Sequence, residues 1–278
     1  MMNRLFGANL TRLWKNKCFW LCVGGMFVYI VVYMVSRCQT ALVDMTDGEK
    51  NLENYYFQSA SVIGLFCAVF STIFLSREYS DGTVRNKVVA GHTRKNIYLS
   101  HLAVTFLASL LMLLVGMAAA LVGIPVLGVW KMGTGWLFMY LLITVMATLA
   151  FCAIDTMLNI LIQNRAFCAV LTILVFFALL FAAGKLEERL SAPETVFQNI
   201  LVVDGEVVFG DPIPNPRYVD GGKRDIMDFA VDFLPAGQVC RVANLKVAAP
   251  VRMLVSSLFL TVFLTRFGIY LFERKDLR

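Results

Sequence analysis

The chain has 278 residues, of which 59% are hydrophobic and 16% charged, and its mean hydropathy is +0.71. In soluble domains nearer a quarter of the residues are charged, so the composition excludes an ordinary soluble protein. The formal net charge of +6 would suggest a nucleic-acid partner in a soluble chain. In a membrane protein the distribution of charge between loops matters more than its sum, so no nucleic acid is expected as a partner.

Residues 1–17 contain four basic residues and no acidic one, with large apolar side chains between them. These apolar residues include Leu5, Leu10, Leu13 and Trp14. The pattern is typical of a short amphipathic helix that lies in the membrane interface. A frayed basic tail is the alternative.

Six continuous apolar runs follow, each about as long as the 20 residues that a helix needs to cross roughly 30 Å of hydrocarbon. They cover residues 18–36, 57–76, 99–122, 136–158, 166–183 and 253–272. Strands of an outer-membrane barrel would instead alternate over about ten residues. The sequence therefore predicts an all-α integral membrane protein with six transmembrane helices in a single domain, 1–278.

Charge alternates between the segments that join these runs. Residues 1–17, residues 77–96, the link at Arg165 and the C-terminal tail hold thirteen basic and four acidic residues in total, whereas residues 37–56 and 184–247 have net charges of −2 and −3. Basic segments stay on the cytoplasmic side of a membrane. We therefore expect a multi-pass protein of the cell membrane, with both termini and residues 77–96 in the cytoplasm and residues 184–247 outside.

The extracellular segment 184–247 is the one long loop. Within it, residues 200–209 carry two β-branched runs around Asp204-Gly205, a strong hairpin signal. Residues 210–222 are typical of extended chain and turns. Residues 224–238 change to a helical period, with Asp225, Asp228 and Asp232 on one face, and Pro235 is predicted to end the helix. This helix would lie on the membrane surface or on the mouth of the bundle, or would simply cap the bundle.

Chemical sites are few. The chain has only two histidines, His92 and His101, which is too few ligands for a histidine metal cluster, and it lacks a phosphate-binding loop with a Ser or Thr for Mg²⁺. We expect no metal site and no enzymatic activity. Most of the seven cysteines fall in apolar runs, but Cys38 and Cys240 are both predicted outside, where an oxidising compartment would allow a disulfide between them.

Ionisable residues inside membrane spans are functional candidates by default. Asp155 qualifies, with Asn159 one helical turn further on, and so does Arg266 near the inner end of the sixth span. Structural roles are the alternative: an ion pair of Asp155 with Arg266 in the inner leaflet, or independent snorkelling towards the headgroups.

Residues 77–96, REYSDGTVRNKVVAGHTRKN, form the polar connection between the second and third spans. Asp81-Gly82 is a helix break, Thr83 is a suitable N-cap for a short helix, and Gly91 is suited to end it. Such a helix would lie along the membrane and serve as a docking element. A solvated basic loop that only fixes topology is the alternative.

This stretch resembles the signature of permease subunits of ABC-2 type ATP-binding cassette transporters. That signature is a Glu, three residues, Gly-Thr, a short helix and Gly-x-[Ser/Thr]-Arg, which correspond here to Glu78, Gly82, Thr83, Gly91, Thr93 and Arg94. The C-terminal sequence FGIYLFERKDLR and the order of spans are also similar to that family. The long segment 184–247 departs from it.

The resemblance implies that two permease subunits form the pore and that separate ATPase subunits bind ATP and Mg²⁺, so this chain holds no cofactor. Residues 77–96 would be the coupling element: Gly82 allows its turn, Glu78 orders its start by accepting hydrogen bonds from the turn that contains Thr83, and the basic residues contact the ATPase. These basic residues are Arg85, Lys87 and Arg94.

The expected function is export of an apolar or amphipathic substrate, such as a drug, a peptide antibiotic or a lipid-like molecule. The spans offer a broad apolar surface in contact with membrane lipid and few charges, which favours such substrates over ions. A non-transporting sensor or peptide-antibiotic immunity protein, whose outer segment binds the ligand, is the alternative.

Overall fold

The fold is described by a computed structural model for residues 2–44, 51–80, 82–128, 130–162, 164–197, 200–203, 206–209 and 211–275. Helices dominate these residues. In chain order they are α1 (Met2–Trp14), α2 (Lys17–Asp44), α3 (Glu53–Tyr56), α4 (Gln58–Ser80), α5 (Thr83–Val89), α6 (Arg94–Ala120), α7 (Ile124–Leu127), α8 (Thr134–Leu161), α9 (Arg165–Leu190), α10 (Gly221–Phe233), α11 (Pro235–Ala243) and α12 (Pro250–Arg274).

Six helical segments in the described part of the chain are long and apolar enough to cross a membrane. They are Lys17–Val43, Glu53–Glu78, Arg94–Leu127, Thr134–Leu161, Arg165–Leu190 and Pro250–Arg274. Each contains one of the six predicted spans and extends past it at one or both ends. The prediction of an all-α integral membrane protein with six membrane-spanning helices is confirmed.

Helix α4 lies at the centre of the bundle, where it packs against α2, α6, α8, α9 and α11. In its most apolar window 67% of the residues are buried, compared with 22% in α9 and in α12. Its buried Ile63, Phe70 and Phe74, with Phe57 just before its first residue, form much of the main apolar core. The outer spans therefore keep broad apolar faces for lipid or for another subunit, while α4 is held by the protein.

Helix α1 packs against α6 at the end of the bundle where the C-terminus of α12 also lies, which we call the terminal end. Leu5 and Leu13 are buried, whereas Trp14 remains about half exposed. The predicted helix is thus present in residues 2–14 in place of a frayed tail. Its apolar face is largely covered by protein.

The long segment after α9 begins with two antiparallel strand pairs. The strands are β1 (Thr195–Phe197), β2 (Ile200–Val203), β3 (Glu206–Phe209) and β4 (Pro212–Pro214). Strand β2 pairs with β3, so the predicted hairpin is confirmed, although its turn residues Asp204 and Gly205 lie outside the described residues. Strand β1 pairs with β4, with Val196 opposite Ile213, which places the predicted extended chain in a second ladder.

The predicted amphipathic helix is α10, which ends at Phe233 as expected. However, only Leu234 is extended, and a new helix begins directly after it. Pro235 occupies the first turn of this helix, α11, where the missing N–H of proline would have no partner in any case. Helix α11 buries Ala236, Val239 and Val242 against α4, α8 and α9. The α10–α11 pair therefore closes the end of the bundle opposite α1, in agreement with the capping alternative.

Candidate functional site

The polar connection between α4 and α6 folds as a turn and the short helix α5. Gly82 has φ +64°, a left-handed conformation that side chains with a Cβ rarely adopt, and it precedes the first helical residue, Thr83. The hydroxyl of Thr83 donates to the carbonyl of Glu78 over 2.9 Å. The prediction that Thr83 is the N-cap is wrong, because the first turn is closed by Asn86 N–H on the Gly82 carbonyl, 3.1 Å away.

Gly91 terminates helix α5, as the sequence predicts, two residues after the last helical residue, Val89. Gly91 has φ +85°, its N–H bonds the carbonyl of Val88, and the N–H of His92 reaches back to Lys87 over 3.1 Å. This is a Schellman motif, which satisfies the last carbonyls of a helix and requires a left-handed residue. Thr93 then caps α6 by accepting from the N–H of Asn96. Two glycines in the left-handed conformation therefore fix the two ends of α5, and Thr93 fixes the start of α6.

Glu78, near the C-terminus of α4, joins four helices. Its carboxylate is only 3% exposed and bonds Arg12 of α1, Lys87 of α5 at 2.6 Å and His101 Nε2 of α6 at 2.8 Å. Arg12 also bonds the Phe74 carbonyl and lies over the Phe74 ring. The carboxylate of Glu78 orders α5 through Lys87, whereas we predicted bonds from the turn of Thr83. The hydroxyl of Thr83 donates to the backbone carbonyl of Glu78 and not to its carboxylate.

Asn9 of α1 adds a second polar connection at the same place. Its side-chain amide donates to Ser100 of α6 over 2.9 Å and accepts from Lys87 over 3.2 Å. Leaving a polar group unpaired in the protein interior costs free energy, so movements that would break these hydrogen bonds are disfavoured. The contacts therefore hold the helices in a defined geometry. Helices α1, α4, α5 and α6 are consequently connected as one polar unit, which we call the Glu78 cluster: Asn9, Arg12, Glu78, Lys87, Ser100 and His101.

Arg94, in the first turn of α6, binds the end of α12. Its guanidinium donates to the carbonyls of Phe272 and Glu273 at 2.7 and 2.9 Å and to that of Lys275 at 2.6 Å. Lys275 in turn donates to the carbonyls of Ile160 and Leu161 at the end of α8. Basic side chains are favourable at helix C-termini because they satisfy free carbonyls and the helix dipole. Arg94 therefore connects the start of α6 to α12.

One face of α5 remains open. Arg85, Asn86 and Val89 are exposed, Val89 to 80%, while Val84 is buried in a small apolar cluster with Tyr98 and others. Of the three basic residues predicted to contact an ATPase, only Arg85 is on this open face. Lys87 and Arg94 bind inside the chain, because Glu78 and the end of α12 provide partners for them.

The polar residues predicted inside the membrane spans have different environments in the structure. Asp155 and Asn159 of α8 are buried, and the Asn159 amide bonds the Asp155 carbonyl at 2.8 Å and Ser71 of α4 at 3.3 Å. Cys168 of α9 approaches Asn159 at 3.3 Å. Arg266 is exposed on α12, and within the described residues it forms no ion pair with Asp155. The predicted ion pair is therefore absent from the structure.

Further polar contacts join α4, α6, α8 and α9. Cys67 of α4 and Cys152 of α8 both approach Ser109 of α6, at 3.1 and 3.4 Å, and Thr72 of α4 bonds Thr172 of α9 at 3.0 Å. Such contacts within the membrane contribute about 0.6 kcal/mol each. From the sequence we interpreted the cysteines as small hydrophobic residues and did not single out the serine and threonines. A polar role for these side chains can be recognised only when the neighbouring residue in the fold is known.

The predicted disulfide partners are both free thiols. Cys38 lies on α2 and Cys240 on α11, and the structure does not join them. Among the residues that the structure describes, no three His, Cys, Asp or Glu side chains are placed to hold a metal ion.

A second charged cluster lies at the opposite end of the bundle. Asp232 of α10 is fully buried and receives Arg241 of α11 and Arg252 of α12, each at 2.6 Å. Asp228 receives the same two guanidinium groups, and Glu187 of α9 accepts from Arg241 at 3.2 Å. We call these five residues the Asp232 cluster. The sequence placed Asp228 and Asp232 on a polar face, but did not show that two arginines would cover them.

Acidification should weaken the Asp232 cluster. Burial acts to raise the pKa of Asp228, but the hydrogen bonds and charges of Arg241 and Arg252 outweigh it and hold this pKa below its usual range. The stabilisation is therefore fully present above the unfolded-state pKa, about 3.9, and is lost as the pH falls through the folded-state value. We expect the thermal midpoint of the purified protein to decline below about pH 4. Asp228→Asn should flatten this decline, and an equally steep decline in the variant would contradict the assignment.

The comparisons with known proteins agree with this architecture. Residues 8–180 match the model of a family described as ABC-2 family transporter protein. This match covers the second half of α1, all of α2 to α8 and part of α9. No curated protein sequence matches the chain significantly. Because the family match spans more than half of a chain with six membrane-spanning helices, this protein is a multi-pass membrane protein that belongs to the ABC-2 transporter family.

Proposed function

We propose that this chain is the permease subunit of an ABC exporter, in which residues 77–96 couple the spans to a separate ATPase subunit. Permeases of this family generally work with ABC ATPase partners and are not themselves catalytic. ATP and Mg²⁺ would be bound by the partner. The observation that carries the coupling proposal is that α5 has one open face and is tied by its other face to Glu78.

A movement of α5 would be transmitted to the other helices through specific contacts. Lys87 transmits it to Glu78 on α4, and from Glu78 it reaches α1 through Arg12 and α6 through His101. Arg94 extends the route from α6 to the end of α12. A helix held by several buried, geometrically specific contacts moves with its neighbours as a unit, whereas a solvated loop would not.

The orientation and the partners that we propose rest on the same coupling role of α5. An ATPase can contact α5 only in the cytoplasm, so both termini lie there and the α10–α11 pair lies outside, in agreement with the distribution of basic residues. The mostly exposed apolar faces of α2, α9 and α12 are available to lipid and to a second permease subunit. The large apolar surface and the few membrane charges suit an amphipathic or apolar cargo.

The open face of α5 provides the direct test. We expect Arg85→Ala/Val89→Ala to weaken association with the co-expressed ATPase subunit about tenfold, since two contributing interface side chains cost more than about 1 kcal/mol together. The thermal midpoint of the permease should not change, because both side chains are exposed. Arg217→Ala, which removes an exposed charge at the opposite end, is the matched control.

Association is measured by titrating the ATPase against the permease in nanodiscs, and coupling by the ATP hydrolysis that the permease stimulates. If the double variant binds and stimulates like the wild type, α5 is not the coupling helix. A transporter and a sensor are then distinguished by measuring ATP-dependent uptake of substrate into inverted vesicles. Uptake would support an exporter, whereas ligand binding without ATP-dependent uptake would favour a sensor.

A further inference from the structure

A cavity of about 370 Å³ lies beside the Glu78 cluster, between α1, α4 and α5. Asn9 and Arg12 line it from α1, Arg77 and Glu78 from α4, and Lys87 from α5. Three basic side chains therefore face this cavity with a single carboxylate. The lining residues thus carry three positive charges and one negative charge, a balance that is favourable for an anion.

A second depression, of about 340 Å³, runs between α2 and α4. It is lined by Cys18, Leu21 and Cys22 on one side and by Leu65, Phe66 and Val69 on the other. All six side chains are apolar or thiol-bearing, and both helices are membrane-spanning segments. A hydrocarbon chain fits such a groove, whereas a polar solute would find only weakly donating thiols there.

The cavity and the groove lie on the same face of α4. Val69, Ile73 and Arg77 follow one another at intervals of four residues, which places them in one row along a helix. Arg77 and Val69 are about 12 Å apart along the axis at 1.5 Å per residue. Ile73 is 39% exposed between them, so an apolar path leads from the basic cavity into the groove.

Aromatic side chains mark the depth of this site. Trp14 and Trp20 are both about half exposed where α1 turns into α2, and their ring centroids are 5.8 Å apart. Tryptophan is enriched at the level of the lipid headgroups. The basic cavity, lined by Arg12 two residues before Trp14, therefore lies at headgroup level, and the groove that begins at Cys18 lies below it in the hydrocarbon.

We propose that this face binds one anionic phospholipid, with its phosphate in the basic cavity and one acyl chain over Ile73 in the apolar groove. The charge of the cavity selects a headgroup with net negative charge, and the groove selects a lipid over a free phosphate. The open face of α5, with Arg85 and Val89, is not part of this site. The lipid would stabilise the position of α1 against α4 independently of any ATPase.

The test uses the full-length protein in a neutral detergent, titrated with dioctanoyl phosphatidylglycerol and followed by native mass spectrometry. We expect Arg77→Gln to weaken binding about fivefold, since one basic residue near an anionic lipid surface contributes about 1 kcal/mol. Ile73→Asn should also weaken it, because it interrupts the apolar path. Arg85→Gln, which removes the same charge from the other face, should leave it unchanged. Equal affinity of wild type and both site variants would overturn the proposal.

Two further ligands, tested on the wild-type protein, distinguish a site for a phospholipid from a site for a free phosphate ester. Dioctanoyl phosphatidylcholine has the same chains without net charge and should bind more weakly than phosphatidylglycerol; equal binding would overturn the anionic site. Glycerol 1-phosphate has the headgroup chemistry without chains and should not compete at the same concentration. If it competes as well as the lipid, the cavity is a site for free phosphate esters and the lipid proposal is wrong.

Discussion

Replacing Arg241 with alanine is expected to destabilise the fold by about 3–5 kcal/mol, the usual cost of removing one partner from a buried ion pair. Arg241 is 5% exposed and bonds Asp228, Asp232 and Glu187 at once. Without it Asp232, which is fully buried, keeps only Arg252 as a charged partner among the described residues. The α10–α11 pair should then be held less firmly against α9, because the ion pair of Arg241 with Glu187 is lost and the bond from Arg224 to the Leu190 carbonyl remains.

The expected change is a decrease of roughly 10 °C in the thermal midpoint of the detergent-purified protein. Arg217→Ala is the matched control: Arg217 is 73% exposed and pairs with an exposed Glu188, so it should cost less than about 1 kcal/mol. Hydrogen exchange should localise the loss of protection to α10 and α11. A variant as stable as the control would show that the Asp232 cluster does not hold the two helices in place.

The spans could be predicted from the sequence because hydrocarbon imposes a length and a composition on any helix that crosses it. Their ends could not. Helix α2 continues to Asp44 and α9 to Leu190, well past the apolar runs, since polar residues extend a helix into water at no cost. The turn and the end of α5 were predictable from Gly82 and Gly91, because a left-handed backbone is a local requirement that glycine meets.

Helix α11 was missed, although its apolar residues Ala236, Val239 and Val242 have helical spacing. Proline both ends one helix and starts another, and Pro235 was read only in the first sense. The charged clusters could not be predicted at all. Glu78 meets Arg12 across 66 positions and Asp228 meets Arg252 across 24, and no local pattern selects those partners from the other basic residues of the chain.

The Glu78→Gln substitution is expected to have the largest effect on coupling. It preserves the shape of a side chain that is 3% exposed but removes its charge, so Arg12, Lys87 and His101 lose their common anionic partner. Losing charged hydrogen bonds of this kind costs about 3 kcal/mol. Because the same carboxylate holds α1, α5 and α6, we expect faster hydrogen exchange in residues 5–14 and 83–89 while the membrane-spanning core stays protected.

In the assembled complex Glu78→Gln should reduce permease-stimulated ATP hydrolysis at least tenfold, since a loosened α5 transmits less of any movement to α4 and α6. Glu188→Gln is the matched control, because Glu188 also pairs with two basic residues but is 46% exposed and lies at the opposite end. The two readouts distinguish two roles for Glu78. Loss of stimulation with unchanged ATPase binding is the result that a transmitting carboxylate requires. Loss of binding alone would mean that Glu78 only shapes the docking surface, and an unchanged complex would show that the route from α5 into the bundle does not pass through it.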